Sequence, residues 1–364
     1  MTKWLTTELP QVVFEDSQVG RLKKEIWDAS EEQIDHILAE YGMPSPSEMV
    51  TPGSYIQTTP RAKVEQNRRV NDIVIIPVAS TERHGDHSCS GHDLFQVTQL
   101  IEGVRRYTAK KGAPVNLVYS PLNYGGHPYH HVGMPGTVIM PEEVVRETLI
   151  NTMLGLWNDG FRKQLIINNH GQLWMLESAL HEFMYRYQLP GIYQIFDWHR
   201  CVREFFVPCE RTGWETDFIH SAEAETSLGL FLFPKGMIDM EHAIGGEGKN
   251  YLPGGHFDTS VDPYSRPHRW SEGEGQMAIE LAAVPHGAVG KPALADPKKA
   301  KRPVAAILRY LTLVHDEILE AFPPGKLPPV DEITTRTKEE MEPYLKEPGS
   351  PRWRPVYALS RRGF

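Results

Sequence analysis

The sequence predicts an α/β protein built on a mainly parallel β-sheet covered by helices on both faces. Three observations predict it. From residue 70 onward, short apolar runs alternate with longer helix-like runs, the pattern of strand–helix–strand units. The apolar runs are near-continuous in Val, Ile and Leu, as strands buried on both faces are. Acidic residues and histidines recur where those runs end, and the carboxyl edge of an open α/β sheet is where ligands are held.

The first 70 residues are polar and lack strong strands. Ser30-Glu31-Glu32-Gln33 has the form of a capping box. Ile34, Ile37, Leu38 and Tyr41 then share a helical face, with Gly42 as a stop. Pro44, Pro46, Pro52 and Gly53 make the next stretch a loop. Residues 1–70 are read as an N-terminal extension packed on the core. Strand-like runs follow at 72–79, 114–120, 163–168 and 192–198, with helix-like runs at 93–110, 141–159 and 173–187. A further helix, about 296–321, follows the Gly287–Pro297 segment. Residues 71–322 form the main domain. From Pro323 the chain is rich in proline and charge, and 323–364 is expected to wrap the surface as a tail.

Composition excludes several classes. The 364 residues carry a net charge of -9, which speaks against a nucleic-acid binder with its basic face. Three cysteines, Cys89, Cys201 and Cys209, form no C-x-x-C pair. No disulfide framework is expected, and a reducing compartment is. The N-terminus lacks an apolar h-region, and no run of about 18 apolar residues exists. Neither a signal peptide nor a membrane span is expected, and the expected location is the cytoplasm.

Four segments carry chemistry. Glu82, His84 and Asp93 stand at Glu-x-His-x8-Asp after the first strand. In extended chain residues i and i+2 point the same way, so Glu82 and His84 can approach one centre or two adjacent ones. Asp93 can bridge from the following helix. Carboxylate plus imidazole suits zinc or manganese; the bland alternative is a solvated loop with a capping Asp. Asn168-Asn169-His170-Gly171 ends the third strand and delivers an imidazole to the same edge, or a hydrogen-bonded structural His. Asp217 to Ser227 supplies His220, Glu223 and Glu225. The two glutamates diverge on a helix and converge on a turning entry; a charged helix N-terminus is the alternative. The loop Tyr124 to Thr137 is rich in glycine, proline and histidine. Its His131 and Tyr129 are candidate substrate contacts. Trp198, His199 and Trp214 could wall a pocket, although tryptophan is more often core.

Together these segments resemble the creatininase family of metal-dependent amidohydrolases. The family's Glu-x-His-Gly-x-His run stands here as Glu82-Arg83-His84-Gly85-Asp86-His87, followed by Asp93. Its His-x-x-Phe-Pro-Gly-Thr loop is His131 to Thr137, with Met134 for Phe. Its Asn-Gly-His-Gly-Gly-Asn turn is Asn168 to Leu173, departing at Asn169, Gln172 and Leu173. Its His-Ala-Gly-Glu-x-Glu-Thr-Ser segment is His220 to Ser227, and Gly-x-x-Gly-x-Pro is Gly287 to Pro292.

The resemblance spans roughly 72–320 and implies a three-layer α/β/α sandwich. It also implies two divalent ions, Zn2+ or Mn2+, and a homo-oligomer, often a hexamer. By position, Glu82 and His170 would bind one ion and His84 the other, with Asp93 bridging. In creatininase itself a Glu follows the turn histidine by two residues. Here that position is Gln172, so Glu223 is the expected fifth ligand and Glu225 the alternative. Gln172 is then a candidate substrate contact.

His220 resembles the family's proton-handling histidine, with Glu225 orienting it. The implied activity is metal-assisted hydrolysis of a small polar cyclic molecule. The histidine-rich loop favours ring opening of a keto-inositol of the dehydro-inosose type by carbon–carbon hydrolysis. A cyclic amide or formamide is the alternative substrate. A non-catalytic metal- or ligand-binding protein on the same fold is the alternative of another class.

Overall fold

The computed structural model describes residues 3–9, 12–40, 56–118, 122–127, 131–249 and 278–362. The chain divides into two compact units, Met1–Thr51 and Pro52–Phe364.

In the first unit β1 (Trp4–Thr6) and β2 (Val13–Glu15) pair antiparallel. Two helices follow, α1 (Gln18–Asp28) and α2 (Glu31–Glu40). The capping box forms as expected. Gln33 N–H donates to Ser30 Oγ at 3.3 Å, and Ser30 N–H donates to Gln33 Oε1 at 2.8 Å. The expected stop at Gly42 lies outside the described residues.

The second unit runs α3 (Arg61–Val70), β3 (Ile73–Val78), α4 (His92–Lys110), β4 (Asn116–Leu117), α5 (Glu142–Asn158), β5 (Lys163–Asn168), α6 (Leu173–Tyr187) and β6 (Ile192–Asp197). It continues with α7 (Glu223–Leu232), α8 (Lys301–Ala321) and α9 (Lys338–Leu345). The sheet has the order β4-β3-β5-β6 and is parallel throughout. Successive strand residues point to opposite faces, and the two halves of the core follow that alternation. Ile73, Ile75, Leu165 and Ile167 pack with α4 and α8 through Val97, Leu100, Ile307 and Leu311. Val74, Ile76, Val78 and Ile166 pack with α5 and α6 through Leu149, Met153, Leu176 and Phe183. This is the expected three-layer sandwich.

Four details differ from expectation. The unit boundary falls at 51/52 rather than 70, because Val64 of α3 sits in the core and Arg68 pairs with Glu347 at 2.5 Å. Among the described residues the strand expected over 114–120 is only Asn116–Leu117. Pro114 has no N–H to give, and Val115 N–H donates to Thr108 Oγ1 at 3.0 Å instead. The helix expected from 296 begins at Lys301, because Asp296 N–H is held by Ser227 Oγ and Lys299 turns back onto Asp296.

The tail, finally, is partly core. Val330, Met341, Tyr344 and Val356 close over the α5–α6 face. Its root is locked by Lys163, whose buried ammonium donates to Asp72 Oδ1 at 2.7 Å and to the carbonyls of Phe322 and Pro323 at 2.6 and 3.1 Å. No helix among the described residues is long and apolar enough to cross a membrane.

Candidate metal centre

Beyond β3 the chain runs without regular structure to a turn at Gly85, whose φ of 73° is a left-handed conformation. This path carries Glu82 and His84 past the sheet edge. Asp93 comes from the first turn of α4, His170 from the end of β5, and Glu225 from the first turn of α7. His220 sits just before α7, and Ser221 beside it takes a left-handed φ of 54°.

These side chains converge. His170 Nδ1 lies 3.0 Å from Glu82 Oε2 and 3.1 Å from Asp93 Oδ2. His84 Nε2 lies 3.2 Å from Asp93 Oδ1 and 3.5 Å from Glu225 Oε2. The two oxygens of Asp93 therefore face different imidazoles, the arrangement a bridging carboxylate needs. His220 Nδ1 lies 3.7 Å from Glu82 Oε1 and 3.9 Å from Glu225 Oε2. His131 is bracketed by carboxylates, with Nδ1 3.1 Å from Glu82 Oε1 and Nε2 3.2 Å from Glu280 Oε1.

The outward nitrogens of three rings are tied to the backbone. His84 Nδ1 donates to Glu82 O at 3.1 Å, His170 Nε2 to Gly126 O at 3.0 Å, and His220 Nε2 to Arg83 O at 2.8 Å. A carbonyl only accepts, so each outer nitrogen carries the proton. In the neutral ring the inner nitrogen then presents a lone pair to the carboxylates, which is how metal-ligating histidines are held.

Among the described residues Glu82 Oε1, His84 Nε2 and Asp93 Oδ2 are buried without a hydrogen-bond partner. Buried ionised groups left so are costly unless a cation compensates them. The donor atoms of three trios lie within 4.8 Å of one another: Glu82–His127–His170, Glu82–His84–His220 and His84–Asp93–Glu225. Mixed carboxylate and imidazole donors fit zinc or manganese.

The electrostatics agree. Burial opposes the charge on Glu82, yet His220, His170 and His131 hold its carboxyl well below the usual carboxylate range. Burial likewise opposes protonation of His170, but Glu82 and Asp93 raise it to about 10. His84 is raised well above its ordinary value against burial, chiefly by Asp93 and Glu225. Protons on these rings answer the same negative field that a divalent ion would neutralise.

Several sequence expectations are corrected. Glu223 does not reach the cluster. Its buried carboxylate accepts from Thr216 N–H and Oγ1, both at 2.8 Å, from Glu215 N–H, and from Lys299 Nζ at 2.5 Å. As the first two acidic positions of a regular helix, Glu223 and Glu225 diverge, and Glu225 is the one that faces the centre. Gln172 is fully buried and structural, its Oε1 accepting from Gly126 N–H at 3.1 Å. Trp198 and Trp214 belong to the buried core. Trp198 is wholly buried and donates to Asn169 Oδ1, and Trp214 packs on Phe206 and donates to Phe205 O at 2.7 Å. Tyr129 lies outside the described residues.

The departure at Asn169 acquires a role, for its Nδ2 donates to Asp93 O at 2.7 Å and steadies that residue. Two residues of the cluster carry no individual expectation from the sequence. His127 follows the Gly125-Gly126 pair in the histidine-rich loop. Glu280 belongs to no recognisable motif.

The family model for creatininase (creatinine amidohydrolase) matches residues 57–314. The chain belongs to the creatininase family. It is 42% identical over 306 residues, 84% of this chain and 96% of the relative, to the 3-dehydro-scyllo-inosose hydrolase of Thermotoga maritima (strain ATCC 43589 / DSM 3109 / JCM 10099 / NBRC 100826 / MSB8). It is 26% identical over 213 residues, 54% of this chain and 76% of the relative, to the creatinine amidohydrolase of Pseudomonas putida. Among solved structures, a creatininase in its Mn form superposes with a TM-score of 0.53 at 18% identity, covering 74% of this chain and 99% of that one. This creatininase-family member is a metal-dependent hydrolase with the family's fold.

Proposed function

We propose that this hydrolase opens the ring of 3-dehydro-scyllo-inosose, or a closely related diketo-inositol, by hydrolysing a carbon–carbon bond beside a ketone. The observation that carries the reading is the 42% identity across 84% of the chain to an enzyme named for that substrate. The creatinine amidohydrolase relative stands at 26%.

Two divalent ions fit the donor set. Glu82, His170 and Asp93 would hold one, and His84, Asp93 and Glu225 the other. Such ions polarise a carbonyl and lower the pKa of a coordinated water from ~15.7 towards ~7.

The chain's own residues supply the rest. Asp93 sets the two halves of the centre against each other through its two oxygens. His220 is fixed by the Arg83 carbonyl and presents Nδ1 between Glu82 and Glu225. There it can take a proton from water and deliver it to the leaving carbon. Water supplies hydroxide to the carbonyl carbon. The electron pair of the broken bond passes to the neighbouring carbon and into the second ketone as an enolate, which is then protonated. The product is an open-chain keto acid.

That chemistry sets the test. Protein loaded with Zn2+ or Mn2+ is offered diketo-inositols, mono-keto inososes, creatinine and formamides. The diketone alone is expected to release one acid per turnover, because a mono-ketone has no second carbonyl to receive the electron pair. Turnover confined to lactams or formamides overturns the reading. We also propose that the chain assembles as a homo-oligomer, as the family resemblance implies, and light scattering of the pure protein tests this.

A further inference from the structure

We propose that His127 is a protein ligand of the first ion, beside Glu82 and His170. No position of the family pattern supplies it. The inference rests on the metal centre of the preceding section, not on the identity of the substrate.

Geometry comes first. The His127 side chain is fully buried, with Nδ1 3.9 Å from Glu82 Oε1 and the ring centroid 4.5 Å from that of His170. Donor atoms of the three residues fall within 4.8 Å of one another.

Proton placement then fixes which nitrogen faces inward. His131 Nδ1 lies 3.1 Å from His127 Nδ1 and 3.1 Å from Glu82 Oε1. Two bare lone pairs cannot face each other at that distance, so one nitrogen carries a hydrogen. The carboxylate beside His131 places it there. His127 Nδ1 is therefore bare, and Nε2–H donates to Ser80 Oγ at 2.8 Å. The result is an imidazole tethered by its outer N–H, as His84 and His170 are. Its inner Nδ1 accepts from His131 and lies 3.9 Å from Glu82 Oε1, so an ion bound there would take the place of the His131 hydrogen.

The chain also explains how His127 is delivered. A side chain on Gly125 would come 2.5 Å from Gln172 Oε1, and one on Gly126 would come 2.2 Å from Met175 Cε. Glycine at both positions leaves this backbone room to lie against the start of α6, where the facing atoms are the side-chain ends of Gln172 and Met175. Gln172 Oε1 then receives Gly126 N–H, and Gly126 O receives His170 Nε2–H. Gln172 stands where creatininase itself has a carboxylate. The substitution that removes a donor at 172 thus docks the loop that brings in an imidazole at 127.

The test needs no substrate. Metal-free protein is titrated with Zn2+ alone by calorimetry, and the loaded protein is measured by X-ray absorption at the zinc edge. Wild type should bind two ions whose scattering includes the imidazoles of His84, His127 and His170. His127→Ala should weaken one ion by about 100-fold, leave the other unchanged and remove one imidazole per chain. Ser80→Ala should weaken the same ion by about 10-fold, as loss of an outer-shell partner does. Unchanged zinc affinity and imidazole content in His127→Ala overturn the inference and leave the metal centre standing. A wild type that binds no zinc overturns both. Should the alanine variant fail to fold, the spectra of wild type and of His220→Ala decide: a third imidazole present in both supports the ligand, and its absence from either overturns it.

Discussion

The two glutamates at the start of α7 make opposite predictions from similar chemistry. Glu223→Gln removes a charge that is wholly buried and that receives Lys299 Nζ together with donors from Glu215 and Thr216. Breaking a buried pair costs about 3–5 kcal/mol. The lower end applies here, because the Lys299 side chain keeps some exposure and a carbonyl partner, Leu294 O, at 3.1 Å. At about 2 °C per kcal/mol for a domain of this size, the melting temperature should fall by roughly 6 °C. Metal content should not change.

Glu225→Gln removes a carboxylate that faces His84 and His220 and also accepts Ser221 N–H at 2.5 Å. It should lose one ion per chain with little effect on the melting temperature of the metal-free protein. The assay is elemental analysis after gel filtration, paired with calorimetric melts in chelator. Loss of an ion from Glu223→Gln with unchanged metal-free stability would refute the reasoning, since it would put the wrong carboxylate in the centre.

Chelation should lower the melting temperature of wild type, because ions that bind only the folded chain stabilise it by about 2.7 kcal/mol at 100-fold excess over the dissociation constant. A melt unaffected by chelator on protein shown to be metal-loaded beforehand would contradict this. Stability should also depend on pH through His315, whose pKa burial pushes below its ordinary value. Its Nδ1 donates to Asp316 Oδ1 at 2.9 Å and its Nε2 accepts from Asn71 Nδ2 at 2.7 Å, leaving no place for a second proton. Below about pH 6.5 the unfolded chain takes up a proton that the folded chain resists. The contribution of His315 is therefore complete above that pH and declines as pH falls towards the depressed folded value. The stability difference between wild type and His315→Gln should shrink between pH 7 and pH 5, and a difference that grows would refute the assignment.

Much of this architecture is legible in the chain. β3 and β5 announce themselves because strands buried on both faces carry an apolar run, and β6 by its alternating aliphatic and aromatic residues. The donors Glu82, His84 and His170 are legible because they follow those strands closely, and Asp93 because it opens the next helix. What is hidden depends on distant partners. Nothing local separates Glu223 from Glu225; Lys299, 76 residues away, does. Trp198 and Trp214 look like pocket walls until their indole N–H groups find Asn169 and Phe205. The tail reads as polar, yet four apolar residues spaced along it reach the core. β4 is shortened by a threonine hydroxyl from the preceding helix that a propensity argument does not see.

The rings of His84, His170 and His220 are held by the carbonyls of Glu82, Gly126 and Arg83. Every amino acid brings a carbonyl, so the aim of these rings is written in the path of the chain and not in the identity of its neighbours. Residue 83 illustrates the point. Its carbonyl orients His220 while its guanidinium pairs with Asp86 outside the centre. Exchange of that side chain should leave the carbonyl in place to hold the ring. A shift of the backbone at 82–83 or at 126 misaims the rings while every donor remains in place. Loss-of-function changes in this protein should therefore arise at backbone positions such as the left-handed Gly85 as readily as at the donors themselves.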